Sequence, residues 1–274
     1  MPEGPEIKRA ADRIAQAIAQ QPITSLFFAF DHLKPYEQTL KQHQILSVQP
    51  RGKALLIRFD NQLNIYSHNQ LYGVWMIRNA HDYPQTKRQL RLAIHTAKKS
   101  ALLYSASEIE VLDPVAVALH PFLSKLGLDV LDASTSVEQV IQRLQDKQFA
   151  RRGLTGLLLD QQFLCGLGNY LRSEVLFVAR VHPSFRPIDC SIQQTEALAE
   201  AAIAVSQQSY RSGGITNNLQ LAEQLKAEGK LRRDYRHYVF GREGRPCYVC
   251  GTTIVREMLA GRRCYYCAHC QQVK

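Results

Sequence analysis

Met1-Pro2-Glu3-Gly4-Pro5-Glu6 is the stretch from which the rest of the chain can be read. Removal of Met1 leaves Pro2 with a free secondary amine. An α-amino group titrates near ~7.7–8, so a useful fraction is unprotonated at neutral pH. A secondary amine that attacks a sugar carbon collapses to an iminium, a positively charged electron sink, which is covalent catalysis of the Schiff-base kind. Glu3 stands beside it as a proton donor or acceptor. Pro5 suits the first turn of a helix, and Ile7, Ala10, Ala11, Ile14, Ala17 and Ile18 recur at helical spacing. The predicted helix puts its positive dipole end near the amine and disfavours the ammonium form. Proline followed by an acid is also a common way to start a helix, so these residues alone do not separate catalysis from capping.

The far end of the chain adds a second constellation. Cys247-Tyr248-Val249-Cys250 and Cys267-Ala268-His269-Cys270 make two CxxC pairs around a sixteen-residue spacer. This is the spacing of a four-cysteine structural zinc site, two knuckles closing a tetrahedron across a β-hairpin. Cys264, three residues before Cys267, offers a second register, although only the outer pairing gives both pairs knuckle geometry. Four thiolates leave no open metal position, so such a zinc folds the module and does no chemistry. Between the knuckles stand Arg256, Gly261, Arg262 and Arg263. An arginine at a hairpin tip can grip a phosphate bidentately; a solvated surface arginine has the same spacing.

Composition narrows the class. With 274 residues, 45% hydrophobic and 21% charged, the chain suits two packed domains or one large domain with an appendage. Net charge is +10, and residues 226–274 hold eleven Lys/Arg against four Asp/Glu, which points to a polyanion such as nucleic acid. Apolar runs such as Leu55–Ile57 and Leu157–Leu159 are far too short to cross a bilayer. Glu3 and Glu6 stand where a signal peptide would not carry acids, so a cytosolic protein is expected. Five of the seven cysteines fall between 247 and 270, which in a reducing compartment favours metal over disulfides. Cys165 and Cys190 read as small buried hydrophobes.

After the first helix come eight β-rich runs: 23–30, 45–49, 54–59, 63–68, 74–78, 90–96, 101–105 and 109–112. Turn residues bound them at the spacing of a sandwich or barrel. From Ser136 the pattern turns helical, with segments predicted at 136–144, 154–164, 170–178 and 193–208. Gly213-Gly214 and Asn217-Asn218 then mark a polar stretch. Gly166-Leu167-Gly168-Asn169 brings two helix ends together, where backbone N–H groups bind phosphate; alternatively Asn169 only caps a helix starting at Tyr170. Arg51-Gly52-Lys53 opens a strand through a tight bend that lets Lys53 project. His68-Asn69-Gln70-Leu71-Tyr72-Gly73 is a polar loop holding an aliphatic and an aromatic residue, able to enter a base stack or to pack in the sandwich. No catalytic triad, P-loop or dinucleotide fingerprint is present.

These pieces, in this order, resemble one family: the formamidopyrimidine-DNA glycosylase/endonuclease VIII enzymes of base-excision repair. The resemblance runs the whole chain, through PEGPEI, the RGK hairpin, YSHNQLYGVW, LLLDQQFLCGLGNYLRSE and the four-cysteine finger. PEGP and NQLYG are closest to the bacterial endonuclease VIII branch. The resemblance implies that Pro2 attacks C1′ of a flipped damaged nucleotide and Glu3 donates a proton. It makes Lys53 the catalytic lysine of the hairpin and Arg262 the finger arginine that grips phosphates. Asn169 is implied to bind the DNA backbone, and Gln70, Leu71 and Tyr72 to fill the hole left by the flipped nucleotide. Lys125 stands where the family leads one to expect a phosphate-contacting arginine. Gly127-Leu128 lacks the expected linker proline, Arg263-Cys264 departs from the usual residues after the finger arginine, and residues 212–236 match poorly.

The resulting expectation is an α+β multidomain chain. Residues 1–125 form an N-terminal catalytic β-sandwich with an N-terminal helix, and 126–135 a linker. Residues 136–227 form a helical domain with a helix–two-turns–helix motif, and 228–274 a zinc-finger β-hairpin. The expected activity is release of oxidised pyrimidines from duplex DNA through a Pro2 Schiff base, with β,δ-elimination. Oxidised-purine specificity and a catalytically silent DNA-binding protein are the alternatives. One structural zinc held by Cys247, Cys250, Cys267 and Cys270, no organic cofactor, damaged double-stranded DNA as partner, no membrane and a monomer complete the expectation.

Overall fold

The computed structural model describes residues 2–272, and the chain divides into two compact units at Lys125/Leu126. Met1, whose removal frees Pro2, lies outside the described residues.

The first unit opens with helix α1 (Gly4–Ile18), begun by Glu3 in extended conformation and by Pro5 in its first turn. The helix ends before Gln20, which takes the left-handed conformation at φ 59°, and before Pro22, which cannot continue it. There follow β1 (Ser25–Phe28), α2 (Pro35–Leu40), β2 (Ile45–Arg51), β3 (Ala54–Phe59), β4 (Asn64–His68), β5 (Val74–Asn79), β6 (Leu90–His95), β7 (Lys99–Tyr104), β8 (Glu108–Leu112) and α3 (Pro114–Leu119). The strands build two four-stranded antiparallel sheets, in the orders β1-β6-β7-β5 and β2-β3-β4-β8. Each of the eight β-rich runs in the sequence supplies one strand.

Side-chain alternation explains why both sheets share a core. Leu55, Ile57 and Phe59 of β3, Leu92 and Ile94 of β6, and Ala101 and Leu103 of β7 face one cluster with Ile7, Ile14 and Ile18 of α1. The intervening residues are also buried: Ala54, Leu56 and Tyr66 lie under α3, packed against Ala116 and Val117. That two-sided cover is why β3 reads as a nearly unbroken apolar run. Full burial of each Leu or Ile stabilises by about 1.5–3 kcal/mol.

The second unit contains β9 (Leu128–Asp129), α4 (Val137–Gln145), α5 (Leu154–Leu157), β10 (Leu164–Cys165), α6 (Asn169–Val178), α7 (Ile192–Arg211), α8 (Leu219–Ala227), α9 (Arg232–Tyr235), and the hairpin strands β11 (Val255–Leu259) and β12 (Arg262–Tyr266). Its core joins Val140 and Leu144 of α4, Leu171 and Val175 of α6, Leu198 and Ala202 of α7, and Cys264 of the hairpin. Ser136 caps α4 through a capping box with Gln139, as its position before the apolar period predicts.

The structure corrects two segments of the sequence reading. The helix expected over 154–164 stops at Leu157. Asp160 accepts the Gln162 N–H at 2.9 Å, an Asx turn that competes with the helix, and Leu164–Cys165 instead pairs in parallel with Leu128–Asp129. The polar stretch after residue 212 contains α8, which the Asn218 side chain caps by accepting the Leu221 N–H at 3.0 Å. Cys165 is buried as expected, whereas Cys190 is half-buried.

Gly127 sits where no other residue fits. A Cβ there would lie 2.3 Å from the Phe163 carbonyl oxygen and 2.4 Å from that of Gln162, both backbone atoms that cannot swing away. Gly127→Ala is expected to lower the thermal unfolding midpoint by several degrees, about 1–3 kcal/mol of overpacking. A midpoint equal to the parent's would contradict this packing.

Candidate active site and nucleic-acid interface

In the first unit, Glu3 is buried at 4% exposure at the N-cap of α1, while Pro2 before it is half-buried. Glu6 fixes the backbone here. One of its carboxylate oxygens accepts the Glu3 N–H at 3.1 Å and the other accepts from Arg9 at 3.0 Å. The chain start is therefore held at the positive end of a fifteen-residue helix.

Lys53 follows Gly52 in the two-residue connection between β2 and β3, whose last pair is Arg51 with Ala54. Gly52 takes φ 59°, the conformation that the first residue of a tight II′ hairpin needs. Lys53 is only 9% exposed, unlike the solvent-facing lysine that its strand-end position also allowed. Burial holds the His68 imidazole below its usual pKa; the Glu108 carboxylate opposes that shift and the Lys53 cation reinforces it.

The loop from Asn69 to Gly73 is rigid in backbone and open in side chain. The Gly73 N–H donates to the Asn69 carbonyl at 2.7 Å, and a Cβ on Gly73 would meet the Asn69 backbone at 2.7 Å. Arg88 donates to the Tyr72 carbonyl at 2.7 Å. Gln70 takes φ 46° and bonds to Glu108 at 2.8 Å. Leu71 and Tyr72 project with 60% and 71% exposure, so they do not pack in the sandwich. Two large apolar side chains on a braced loop form a wedge. Lys125, the last residue of the first unit, is exposed on a short 3₁₀ turn.

In the second unit, Asn169 does not cap the helix at Tyr170. It is the first residue of α6, and Gly168 holds the cap position. Its side chain reaches the finger hairpin instead: Nδ2 donates to the Arg263 carbonyl at 2.9 Å, and Oδ1 accepts from Arg172 at 2.8 Å. Arg172, fully buried, sends Nη1 to the Thr155 and Leu259 carbonyls, both at 3.1 Å, and Nη2 to the Arg263 carbonyl at 3.0 Å. Ser173 accepts the Tyr265 N–H at 3.2 Å. The hairpin backbone is thus pinned to α6 on both sides of its turn, Ala260-Gly261, where both φ angles are positive. Arg262 and Arg263, just past that turn, have fixed backbones and exposed side chains with no ion pair among the described residues. Arg256 is paired with Glu243 at 2.9 Å.

Glu174 faces a different segment from Arg172, two residues back on the same helix. Its buried carboxylate accepts the N–H groups of Tyr238 and Val239 at 2.8 Å and of Phe240 at 2.9 Å, and the Thr216 hydroxyl at 2.6 Å. Burial raises its pKa against the pull of those bonds. Thr216 also touches the His237 Nδ1 at 2.8 Å. Burial first, then the Arg236 and Arg232 cations, push His237 down to about 3. Arg172 and Glu174 were missed in the sequence, although two charged residues within one turn of a largely apolar helix were the available signal.

The Sγ atoms of Cys247, Cys250, Cys267 and Cys270 all lie within 4.8 Å of one another, with contacts of 3.9 Å (247–270) and 3.4 Å (250–267). A tetrahedral zinc with ~2.3 Å bonds spaces its sulfurs by roughly 3.8 Å, so the thiols fit that ion. Cys264 lies apart, in the helical core beside Ser173 at 3.9 Å, which resolves the register left open by spacing.

Two family models match the chain: the formamidopyrimidine-DNA glycosylase N-terminal domain over residues 1–107 and the formamidopyrimidine-DNA glycosylase H2TH domain over 126–220. Endonuclease 8 of Pectobacterium carotovorum is 45% identical over 272 residues, covering 99% of this chain and all of that protein. The chain belongs to the formamidopyrimidine-DNA glycosylase/endonuclease VIII family. Endonuclease 8 of Escherichia coli K12 is likewise 45% identical over 271 residues, with 99% and 100% coverage. Lactococcus lactis Fpg in complex with DNA containing an abasic site shares the fold at a TM-score of 0.80 and 22% identity, over 99% of this chain and 100% of that one. The same enzyme with DNA containing N7-benzyl-Fapy-dG matches at 0.81. The protein is therefore a DNA glycosylase and abasic-site lyase of base-excision repair.

The buried His237 makes stability pH-dependent with a definite sign. A histidine whose folded pKa is depressed stabilises fully above its unfolded value of ~6.5 and loses that contribution as pH falls from there towards 3. Glu174, raised by burial, works in the opposite direction. Between pH 7.5 and 5, His237 is expected to remove about 2 kcal/mol. Denaturant unfolding of His237→Asn should show that much less acid loss than the parent, and identical slopes would contradict the assignment.

Proposed function

We propose that the protein releases oxidised pyrimidines from duplex DNA through a Schiff base on Pro2 and nicks the strand by β,δ-elimination. The observation that carries this reading is the capped, buried chain start: Glu3 is fixed beside Pro2 at the N-terminus of α1. The Pro2 nitrogen attacks C1′ of the flipped nucleotide as the glycosidic bond breaks and the base departs with a proton. Glu3 supplies the proton that helps open the sugar ring. The resulting iminium acidifies the C2′ hydrogen, and its loss expels the 3′ phosphate; a second elimination expels the 5′ phosphate. Lys53, buried next to His68, acts as the second catalytic cation. Flipping costs a few kcal/mol, least for a damaged, poorly stacked base.

Residues of both units hold the DNA in this reading. Leu71 and Tyr72 enter the stack and Gln70 fills the void, supported by the exposure of that loop. Arg262 grips phosphates from a hairpin braced by Arg172, and Lys125 adds a point charge. Asn169 serves the phosphate site through the α6 N-terminus and the finger backbone it holds. One zinc bound by Cys247, Cys250, Cys267 and Cys270 would lock the two knuckles and contribute folding energy. No organic cofactor enters the scheme, and the enzyme acts as a monomer in the bacterial cytosol. Residues 1–125 carry the chemistry, 126–135 act as the linker, 136–227 and 228–274 present the DNA-binding helical and finger surfaces.

Excision from duplexes holding a thymine glycol or an 8-oxoguanine opposite cytosine tests the substrate class. Faster release of the pyrimidine lesion is expected; a strong preference for the purine would assign the protein to the oxidised-purine branch. For the metal, near-stoichiometric zinc is expected in the parent and in Cys264→Ser, with a sharp fall in Cys247→Ser. Unchanged zinc in Cys247→Ser would show the ligand set to be wrong. Arg262→Ala is expected to weaken DNA binding and reduce the slope of log K against log salt by about one ion's worth. An unaltered salt titration would return Arg262 to the role of a solvated surface residue.

A further inference from the structure

Tyr66 and His68 alternate along β4 and project towards one side, and Gln70, in the turn just past the strand, reaches the same place. On that side stands Glu108, the first residue of β8 and the direct cross-strand partner of His68. One oxygen of Glu108 accepts the Tyr66 hydroxyl at 3.0 Å. The other accepts Gln70 Nε2 at 2.8 Å and lies 3.6 Å from His68 Nδ1. Ser107, the preceding residue, donates to Gln70 Oε1 at 3.2 Å. The Gln70 backbone, at φ 46°, is itself held in a conformation that side chains rarely adopt.

An ionised carboxylate only accepts hydrogen bonds, so it tolerates the amide nitrogen of Gln70 and repels the amide oxygen. A serine hydroxyl accommodates either. The orientation of the Gln70 amide is therefore dictated by Glu108. One N–H and one oxygen lone pair of that amide remain, on fixed sides, for whatever the loop meets. We propose that Glu108 is a positioning residue that fixes the hydrogen-bonding face Gln70 presents to the base opposite the lesion, and so sets the opposite-base preference. This rests on the reading of Gln70 as the residue that fills the void.

The test is single-turnover release of dihydrouracil from four duplexes that place A, C, G or T opposite the lesion. The parent is expected to show unequal rates. Glu108→Gln, which offers Gln70 either an oxygen or an NH₂ group, is expected to compress the spread about three- to tenfold, to the level of Gln70→Ala. Glu108→Asp, still an acceptor only, keeps the parent's order. Tyr66→Phe removes another partner of the same carboxylate without touching Gln70 and also keeps it, which separates positioning from loss of a structural contact. A parent with equal rates overturns the proposal, as does a Glu108→Gln variant with the parent's spread when Gln70→Ala has lost it. An unchanged spread in Gln70→Ala refutes the void-filling role of Gln70, and the proposal with it, while leaving the lyase reading of Pro2 standing.

Discussion

Three consecutive residues of one buried helix, Arg172, Ser173 and Glu174, have no exposed surface, and the second unit is arranged to satisfy them. A charge taken out of water costs several kcal/mol unless it is fully bonded. Arg172 answers through its two Nη atoms, which gather the backbone carbonyls of the finger hairpin and of α5, and Glu174 by gathering three successive N–H groups at Tyr238–Phe240. The consequence is functional. A two-stranded hairpin is marginal by itself, yet here its turn is clamped to the helical core at one end and its knuckles converge on four thiols at the other. Arginines at such a turn can be aimed, where arginines on a loose hairpin cannot.

The first unit solves a parallel problem with different means. The first residues of a chain usually fray, but here Glu3 is the cap of α1, whose apolar face is sunk between two sheets. The Glu3–Glu6 bond ties the chain start to that helix, so the rigidity of the sandwich core is passed to the residue beside Pro2. The same sheet that carries Lys53 at its β2–β3 turn carries the Asn69–Gly73 wedge at the end of β4. Strand register thus spaces the Lys53 side chain and the Leu71–Tyr72 wedge by backbone geometry and leaves little to loop flexibility.

Much of this was legible in the sequence. β-rich runs bounded by turn residues located all eight strands, and the paired CxxC spacing identified the thiol cluster, because both signals follow directly from local geometry. What the sequence concealed was long-range pairing. Leu157–Leu159 and Phe163–Cys165 are apolar groups spaced as on one helix, and only the Asx turn at Asp160 and the parallel pairing of Leu164–Cys165 with Leu128–Asp129 end the helix at Leu157. Asn169 looked like a cap because caps are local, whereas its partner lies 94 residues away in the finger. Glu108 gave no local sign of its role, since its three partners belong to β4 and the turn that follows it.

The central claim is that the amine of Pro2 is the nucleophile. Borohydride trapping on a duplex holding a single dihydrouracil, followed by mass spectrometry of the N-terminal peptide, addresses it most directly. A covalent adduct on Pro2, in protein from which Met1 has been removed, is the predicted result. An adduct on Lys53 or another lysine, or none in protein that lacks Met1 and binds the duplex tightly, would contradict it.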